Sequence, residues 1–470
     1  MTTVDPTRLR AVSLSLDESG PLGGDGPLGG AALPDMALLA LAGSTGSLFA
    51  ADHRLLAGFG VAAVLPLPGG LADAEAVAAV GTWLAAVDVD DETAPGTDGP
   101  AGRVLAIGAL PFDRSAPGAL VVPALTIGQD RGGRPWATFV APVDQARPEA
   151  LRAAMAEILQ RAREVEREGA GSPPEARPTL TEVPPGPGYA AAVAAAVADI
   201  DAGRLDKVVL ARSVEARFDE PLDIGRVVQR LRTQEPSCTT FSVPAGTSGR
   251  DGTGRFVGAS PELLVRRTGT AVACHPLAGT IGLTGDAAVD TATVDRFLAS
   301  AKEHWEHRLV VDAIAAVLGP LTTVLRAPAE PSLVRLQSVA HFGTAIDGTL
   351  TDDRDRMAGG QVPSVLDLLA ALHPTPAVGG VPLDRALAAI AHLEPAPRGL
   401  WAGPVGWVDA TGDGEWMIGL RSATIDGPVV RLHAGAGIVA GSDPAAELVE
   451  TTVKLAPMLD ALAPGASAAL

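Results

Sequence analysis

The stretch GEWMIGLRSATIDGPVVRLHAGAGIVAGSDP, residues 414–444, contains the clearest structural pattern of the chain. Its strand-like runs meet at Asp426-Gly427, a dipeptide typical of a tight hairpin turn. We predict a hairpin followed by a helix over 444–462, because Asp443 is a good N-cap residue and proline is favoured in the first helical turn.

The segments before this stretch mix the same two kinds of element. Apolar runs predict strands at residues 104–110, 120–127, 207–212, 239–244, 255–258, 263–267 and 271–274. Helical spacing of apolar residues predicts helices at residues 147–168, 189–200 and 294–318. Strands and helices in mixed order indicate a layered α/β architecture.

Three stretches rich in glycine, proline and small polar residues interrupt the pattern. They are residues 18–30, 88–102 and 170–188. Segments of this composition break helices and strands and usually run over the surface. The third follows a charged helix and is the best candidate for a boundary.

The composition is that of a packed, acidic protein. Of 470 residues, 47% are hydrophobic and 19% charged, with a formal net charge of −19. Such a charge repels nucleic acid and anionic lipid, which bind clustered Lys and Arg. We find neither an apolar leader nor the roughly 18 consecutive apolar residues of a membrane helix. We therefore expect a cytoplasmic protein without nucleic-acid or membrane partners, and two cysteines that are core thiols.

One predicted helix carries two carboxylates on one face. Glu303 and Glu306 stand three residues apart. Beside them we predict an apolar stripe. That stripe consists of Leu298, Ala301, Trp305 and Leu309.

The last predicted helix has a second acidic face. Glu447, Glu450 and Lys454 follow one another at spacings of three and four, opposite a stripe of leucines. Each acidic face alone is also consistent with ordinary surface pairs, such as Lys302 with Glu306, that contribute about 0.3 to 0.5 kcal/mol.

If the two acidic faces meet, their carboxylates repel one another and require a cation. Oxygen ligands that leave room for water and substrate suit Mg²⁺. His304 and His307 raise zinc as an alternative, but no further His or Cys stands nearby in sequence to complete such a site.

A glycine-rich segment joins the predicted hairpin to the last helix. Gly435, Gly437 and Gly441 resemble a dinucleotide fingerprint, but no second strand with an acidic tip follows. We instead predict a turn whose backbone N–H groups face an anion, with Arg421 contacting a carboxylate. A plain tight turn and a surface arginine remain the alternative.

Other short signals are weak by themselves. The run Gly246–Gly254 lacks the Lys-Ser/Thr ending of a phosphate loop and is predicted to connect two strands. Lys207 is also consistent with a strand-end residue, and Glu262 with a turn residue after Pro261.

Nine segments, taken in order, resemble the chorismate-utilising enzymes, and most closely the isochorismate synthases of siderophore and menaquinone pathways. They are KVVLAR (207–212), GASPELLVRR (258–267), PLAGT (276–280), AKEHWEH (301–307), HPTPAVGG (373–380), GPVGWVD (403–409), GEWMIGLRSA (414–423), AGAGIVAGSDP (434–444) and ELVETTVKL (447–455). The resemblance covers residues 189–462 and is loose before them.

The resemblance implies chorismate as the substrate and Mg²⁺ as the cofactor. Glu306 and Glu450 would hold the metal, with Glu303 and Glu447 as close support. The metal would meet the ring carboxylate of the substrate.

The resemblance also implies which residues bind the organic substrate. The ring carboxylate would contact Gly279 and Thr280, and His341 would approach the ring substituents. The residues implied for the enolpyruvyl carboxylate are Arg421, the backbone of Gly437, and Lys454.

The implied reaction adds water at C2 of chorismate and expels the hydroxyl from C4. It needs one base and one acid on either side of a ring. Lys207 would activate the water and must be neutral when it works, whereas Glu262 would protonate the departing hydroxyl and must hold a proton near neutral pH.

Three residues separate this chain from related enzymes. Lys207 replaces the Gln usual in anthranilate synthases, whose nucleophile is ammonia. Ala278 replaces the nucleophilic Lys of aminodeoxychorismate synthases. Ala377 replaces the Thr usual in salicylate synthases, which go on to eliminate pyruvate. A salicylate synthase and an inactive chorismate-binding subunit remain the alternatives.

The fold implied by the resemblance is an α/β sandwich of two curved, largely antiparallel sheets packed together, with helices outside. We expect residues 1–187 to form the N-terminal part of the sandwich, 188–462 the chorismate-binding catalytic domain, and 463–470 a tail. A monomer without a glutamine amidotransferase subunit is expected.

Overall fold

The computed structural model describes residues 4–16, 36–93, 99–169, 177–246, 254–352 and 362–470. The predicted loop at 18–30 lies outside these residues, as do parts of the stretches at 88–102, 170–188 and 246–254. Within the described ranges, no helix is long and apolar enough to cross a membrane.

The described part of the chain contains ten α-helices. They are α1 Met36–Thr45, α2 Ala74–Ala85, α3 Pro148–Gly169, α4 Gly186–Asp201, α5 Ile224–Gln234, α6 Ala287–Leu298, α7 Ala301–Leu318, α8 Val365–Leu372, α9 Leu383–Leu393 and α10 Pro444–Leu462. Short 3-10 helices span Pro6–Arg8, Gly70–Ala72, Gly319–Leu321 and Ala466–Ala469.

The same ranges contain 25 strands. They are β1 Leu9–Ser15, β2 Ser47–Ala51, β3 Arg54–Phe59, β4 Ala63–Leu67, β5 Asp88–Glu92, β6 Leu105–Ala109, β7 Gly118–Val122, β8 Leu125–Gln129, β9 Pro135–Pro142, β10 Thr179–Val183, β11 Lys207–Arg217, β12 Thr239–Pro244, β13 Arg255–Ser260, β14 Leu263–Thr268, β15 Ala271–His275, β16 Leu277–Gly282, β17 Thr322–Arg326, β18 Ser332–Arg335, β19 Val339–Gly343, β20 Ile346–Leu350, β21 Gly380–Val381, β22 Pro404–Asp409, β23 Gly414–Ile418, β24 Ser422–Asp426 and β25 Val429–Ile438.

Two large sheets organise the molecule. The first has the order β10-β11-β25-β24-β13-β12-β2-β3-β8-β9-β1-β5, with β21 also paired to β11. The second has the order β17-β20-β15-β14-β23-β22-β6-β7-β4, and a small third sheet has the order β16-β19-β18. Among the described pairs only β1 with β5 is parallel. The predicted α/β sandwich with largely antiparallel sheets is confirmed.

The two large sheets pack face to face through aromatic and aliphatic side chains. This shared core includes Phe49, Trp136, Phe241, Phe256, Val405, Trp407 and Met417. The helices lie on the other faces, where α1, α3, α5 and α10 share one apolar core and α2, α4, α7, α8 and α9 another. Residues before and after position 187 supply strands to both sheets, and the division into 1–187, 188–462 and 463–470 stays a prediction.

Two segments predicted as single elements are each divided. The run at 120–127 forms β7 and β8, which belong to different sheets and are separated by Pro123 and Ala124. The helix predicted over 294–318 is two helices, because Ser300 caps the start of α7 by accepting a hydrogen bond from Glu303 N. The Ser300-x-x-Glu303 spacing was a signal for this break.

The predicted apolar stripe on α7 is wrong. Trp305 is 54% exposed and Leu298, at the end of α6, is 44% exposed. The buried face of α7 instead carries Glu306 and His307 above Val310, Ile314 and Leu318. Its polar residues are buried because they line a functional site rather than an apolar core.

The opening stretch is also divided between the sheets. Residues 414–418 form β23 of the second sheet, whereas the hairpin at Asp426-Gly427 joins β24 to β25 in the first. The predicted glycine turn is wrong in part: Gly435 and Gly437 lie inside β25, paired with β11, and only Gly441 follows the strand.

We expect Trp416→Ala to destabilise the protein by about 3 to 5 kcal/mol, because Trp416 is fully buried and its loss leaves a cavity. Urea unfolding measures the change. The matched control is Trp305→Ala, with its ring half exposed, which should cost about 1 kcal/mol or less. Equal costs for both variants would contradict this packing.

Candidate active site

A cavity with about 740 Å³ of empty volume lies where β25 and β16 approach each other. Most of the predicted site residues line it. Those residues are Glu262, Gly279, Thr280, Glu306, His341, Ala377, Arg421, Gly437 and Lys454. The remaining four, Lys207, Glu303, Glu447 and Glu450, surround it through the contacts described below.

Glu262 is a fully buried carboxyl in the connection between β13 and β14. The connection is held by Ile418 N, which donates to Glu262 O, and by Ser260 Oγ, which donates to Ile418 O. Burial raises the pKa of Glu262 to about 8, although Lys207 and Lys454 oppose the shift. The side chain therefore keeps its proton at neutral pH, as its predicted role as an acid requires.

Lys207 begins β11 and is 1% exposed. Its Nζ lies 3.0 Å from Glu306 Oε1, which joins the first sheet to α7. Gly437, on the neighbouring strand β25, leaves room for this pair: a Cβ there would collide with Glu306 Oε1 and lie 3.1 Å from Lys207 Cε. Because Glu306 approaches the backbone of Gly437 so closely, a side chain at this position would displace the Glu306 carboxylate.

The four predicted metal-side carboxylates come from α7 and α10, and they influence one another electrostatically. Burial and then the charge of Glu306 raise the pKa of Glu303 to about 7. Burial and then Glu450 raise the pKa of Glu447. The charges of Glu450 and Glu447 on α10 also raise the pKa of Glu303 on α7. The two acidic faces therefore meet, and the reading of each as a solvated surface face is wrong.

Each of these four carboxylates lies within 4.0 Å of a lysine Nζ. Lys454 Nζ lies 2.7 Å from Glu450 Oε1 and donates to Gly435 O at 3.0 Å. Lys302 Nζ lies 3.3 Å from Glu447 Oε1. Within the described residues, no three His, Cys, Asp or Glu side chains already form a group that could hold a metal ion.

These residues nevertheless fit a hard divalent cation by their chemistry. They offer carboxylate oxygens, which Mg²⁺ prefers. Mutual repulsion among them already raises the pKa of Glu303, and a bound cation would relieve that repulsion. Glu306, Glu450, Glu303 and Glu447 are the side chains that would hold it.

Gly279 and Thr280 lie on β16 beside His341 of β19. Arg421 Nη2 lies 3.4 Å from His341 Nε2, and since a guanidinium only donates, Nε2 is the acceptor. His341 Nδ1 then carries the proton and donates to Gly279 O at 3.2 Å. Burial, followed by the charges of Arg421 and Lys454, holds the pKa of His341 well below its usual range. His341 is therefore a neutral side chain.

Arg421 lies in the connection between β23 and β24. Its backbone has φ of 48°, a conformation that is strained for a side chain of this size. Its guanidinium is 8% exposed and lies 3.2 Å from Glu235 Oε1. This conformation directs the guanidinium into the cavity, and the surface-arginine alternative is wrong.

Some lining residues were missed by the sequence analysis, among them Val378, Trp401, Leu420 and His433. The rings of Trp401 and His433 stack at 5.5 Å. Arg398 supports this wall by donating to Val378 O at 2.7 Å and to Val209 O at 2.8 Å. Arg398 in the segment EPAPRGLW (394–401) was the available signal, but nothing in the sequence indicated that it is buried or which groups it contacts.

Comparisons with known proteins show the family to which this chain belongs. The family described as chorismate binding enzyme matches residues 56–463. Isochorismate synthase DhbC of Bacillus subtilis is 37% identical over 363 residues, 77% of this chain and 81% of that protein. Isochorismate synthase EntC of Escherichia coli K12 is 35% identical over 354 residues, 75% of this chain and 80% of that protein.

A solved structure shows the same fold. MenF, the menaquinone-specific isochorismate synthase from Escherichia coli, aligns with a TM-score of 0.71 at 25% identity, over 97% of this chain and 94% of that one. The fold and the site define an enzyme with a buried acid, a buried lysine and an acidic pair of helices around one cavity. The chain belongs to the chorismate-binding enzyme family.

We expect Gly437→Ala to lower chorismate consumption by about 100-fold, because the added Cβ displaces Glu306 and disturbs Lys207. Initial rates measure the effect, and circular dichroism checks folding. Gly282→Ala on β16 is the matched control, since a Cβ there meets no atom within 4 Å. Wild-type rates in the Gly437 variant would contradict the close approach.

Proposed function

We propose that this protein catalyses the Mg²⁺-dependent isomerisation of chorismate to isochorismate. The observation that supports this most is a buried, protonated Glu262 in the same cavity as Arg421 and Lys454, with Lys207 nearby. An acid, a base and two cations for carboxylates are what the reaction needs on one ring. The named relatives catalyse this reaction by their descriptions.

Lys207 is the proposed base that takes a proton from water as the water adds at C2. Its Nζ is buried and lies 3.0 Å from Oε1 of Glu306, so it is paired with that carboxylate. Lys207 can therefore work only when Glu306 is engaged elsewhere, as a ligand of the proposed cation would be. Lys207 in place of the Gln usual in anthranilate synthases supports water rather than ammonia as the nucleophile.

Glu262 is the proposed acid that protonates the hydroxyl leaving C4. The proton returns to Glu262 from solvent or from Lys207 after each turnover, so the reaction is an isomerisation without net proton change. When bound, Mg²⁺ would neutralise the carboxylates of α7 and α10 and bind the ring carboxylate.

The organic substrate is held by groups on β16, β19 and α10 and by Arg421 between β23 and β24. Arg421 and Lys454 provide positive charge for the enolpyruvyl carboxylate. Gly279 and Thr280 face the ring carboxylate. Neutral His341 can accept or donate a hydrogen bond at the ring substituents without adding charge.

Ala377 lines the cavity, where the resemblance implies that this position distinguishes isomerisation from onward cleavage. A small apolar side chain there supports release of isochorismate rather than salicylate. The product would then supply menaquinone or siderophore synthesis, and MenF of Escherichia coli is described as menaquinone-specific.

The product test incubates purified protein with chorismate and Mg²⁺, without glutamine or ammonium, and identifies products by chromatography. We expect isochorismate alone, and no consumption by Lys207→Gln, because that side chain cannot act as the base. Salicylate with stoichiometric pyruvate would show a salicylate synthase instead. No consumption by the wild type would show a chorismate-binding protein without activity.

We expect the slope of log kcat/KM against pH to fall by about one near pH 8, because Glu262, with a pKa of about 8, must be protonated. Rates at saturating Mg²⁺ between pH 6 and about 10 measure the profile. Glu262→Gln should remove activity at every pH, since an amide cannot supply the proton. A profile whose slope does not change near pH 8 would rule out Glu262 as the acid.

A further inference from the structure

The chain contains only three lysines, and all of them lie at the candidate active site. Of its 36 basic residues, 33 are arginine. Each lysine pairs with a carboxylate of α7 or α10. The pairs are Lys207–Glu306, Lys302–Glu447 and Lys454–Glu450. A chain that uses arginine at every other basic position retains lysine only beside the four acidic side chains.

Lys302 has no part in the chemistry proposed above. It lies outside the cavity lining, whereas Lys454 lines it and Lys207 lies beside Gly437 and Glu306. Its side chain is 36% exposed, but its partner Glu447 is only 5% exposed. A surface ion pair would not require a buried carboxylate, so Lys302 needs another explanation.

The geometry of Lys302 is that of a bridge between two helices. Its Nζ lies 3.3 Å from Glu447 Oε1 on α10 and 3.8 Å from Glu303 Oε1 on α7. One positive charge thus contacts a carboxylate of each helix. These two carboxylates are the ones predicted to give the metal close support.

An ammonium suits this position better than a guanidinium. It is a compact point charge, whereas a guanidinium is a planar fork that spreads its charge over several atoms. A point charge shared by two carboxylates resembles the arrangement that a hard divalent cation produces. The chemistry explains why the chain has lysine here and arginine elsewhere.

We infer that Lys302 is a positioning residue for the cation site. Its ammonium balances Glu303 and Glu447 across the gap between α7 and α10 in the metal-free protein, and it competes with the divalent cation for these carboxylates. The inference rests on the proposed Mg²⁺ site, and it adds a residue that sets the affinity of that site.

The test compares Mg²⁺ binding to wild-type protein and Lys302→Met, by calorimetry without chorismate. Methionine keeps an unbranched stem and removes the charge. We expect the Kd for Mg²⁺ to fall about three- to tenfold, because a competing charge is gone. The metal-free Tm should fall by about 2 to 4 °C and return toward the wild-type value at saturating Mg²⁺.

Two controls separate this role from a general effect of charge or folding. Lys302→Arg keeps the charge but spreads it over a guanidinium, and its Kd should lie between those of the wild type and Lys302→Met. Arg308→Met removes a charge from the exposed side of the same helix and should change the Kd less than Lys302→Met does. If Lys302→Met does not fold, Lys302→Gln replaces it with the same expected direction.

The outcomes distinguish this inference from the proposed function. If the wild type binds Mg²⁺ and Lys302→Met binds it equally or more weakly, the role of Lys302 is wrong while the cation site stands. If the wild type binds no Mg²⁺, both the cation site and the role of Lys302 are wrong.

Discussion

A buried ion pair between Lys207 and Glu306 joins the first sheet to α7, and the active site is arranged around it. Burying two charges costs several kcal/mol of desolvation, and their attraction offsets this only when the geometry is good. The pair has room because Gly437 on β25 lacks a side chain where Lys207 and Glu306 approach each other. The register of β25 with β11 places Gly437 at this point. The ion pair therefore depends both on the pairing of β11 with β25 and on the placement of α7.

The site combines carboxylates in opposite electrostatic environments. Glu262 is buried, and burial raises its pKa to about 8 against the opposing effects of a backbone hydrogen bond at Leu277 and the charges of Lys207 and Lys454. Glu306 and Glu450 instead lie 3.0 Å and 2.7 Å from the Nζ atoms of Lys207 and Lys454. One cavity can hold an acid and a cation site because a few ångströms of separation change which form of a carboxyl is favoured.

Several features of the fold and the site were predictable from the sequence. The hairpin at Asp426-Gly427 and the helix Pro444–Leu462 follow local rules of turn and capping chemistry, which act within a few residues. The break at Ser300 follows the same rules, and its capping signal was present in the sequence. The ordered motifs predicted the family. The resemblance to that family then identified many of the residues that line the cavity.

The sequence by itself determined the kinds of element, the family and the chemical types of the site residues. Only the tertiary structure decided which charges meet. Helical spacing suggested Lys302 with Glu306, four residues apart, but Glu306 pairs with Lys207 and Lys302 with Glu447, 145 residues away. The left-handed backbone of Arg421 and the buried polar face of α7 also depend on neighbours from distant segments. Burial and ion pairing are properties of the assembled layers, and a local pattern contains no information on which layer a side chain will face.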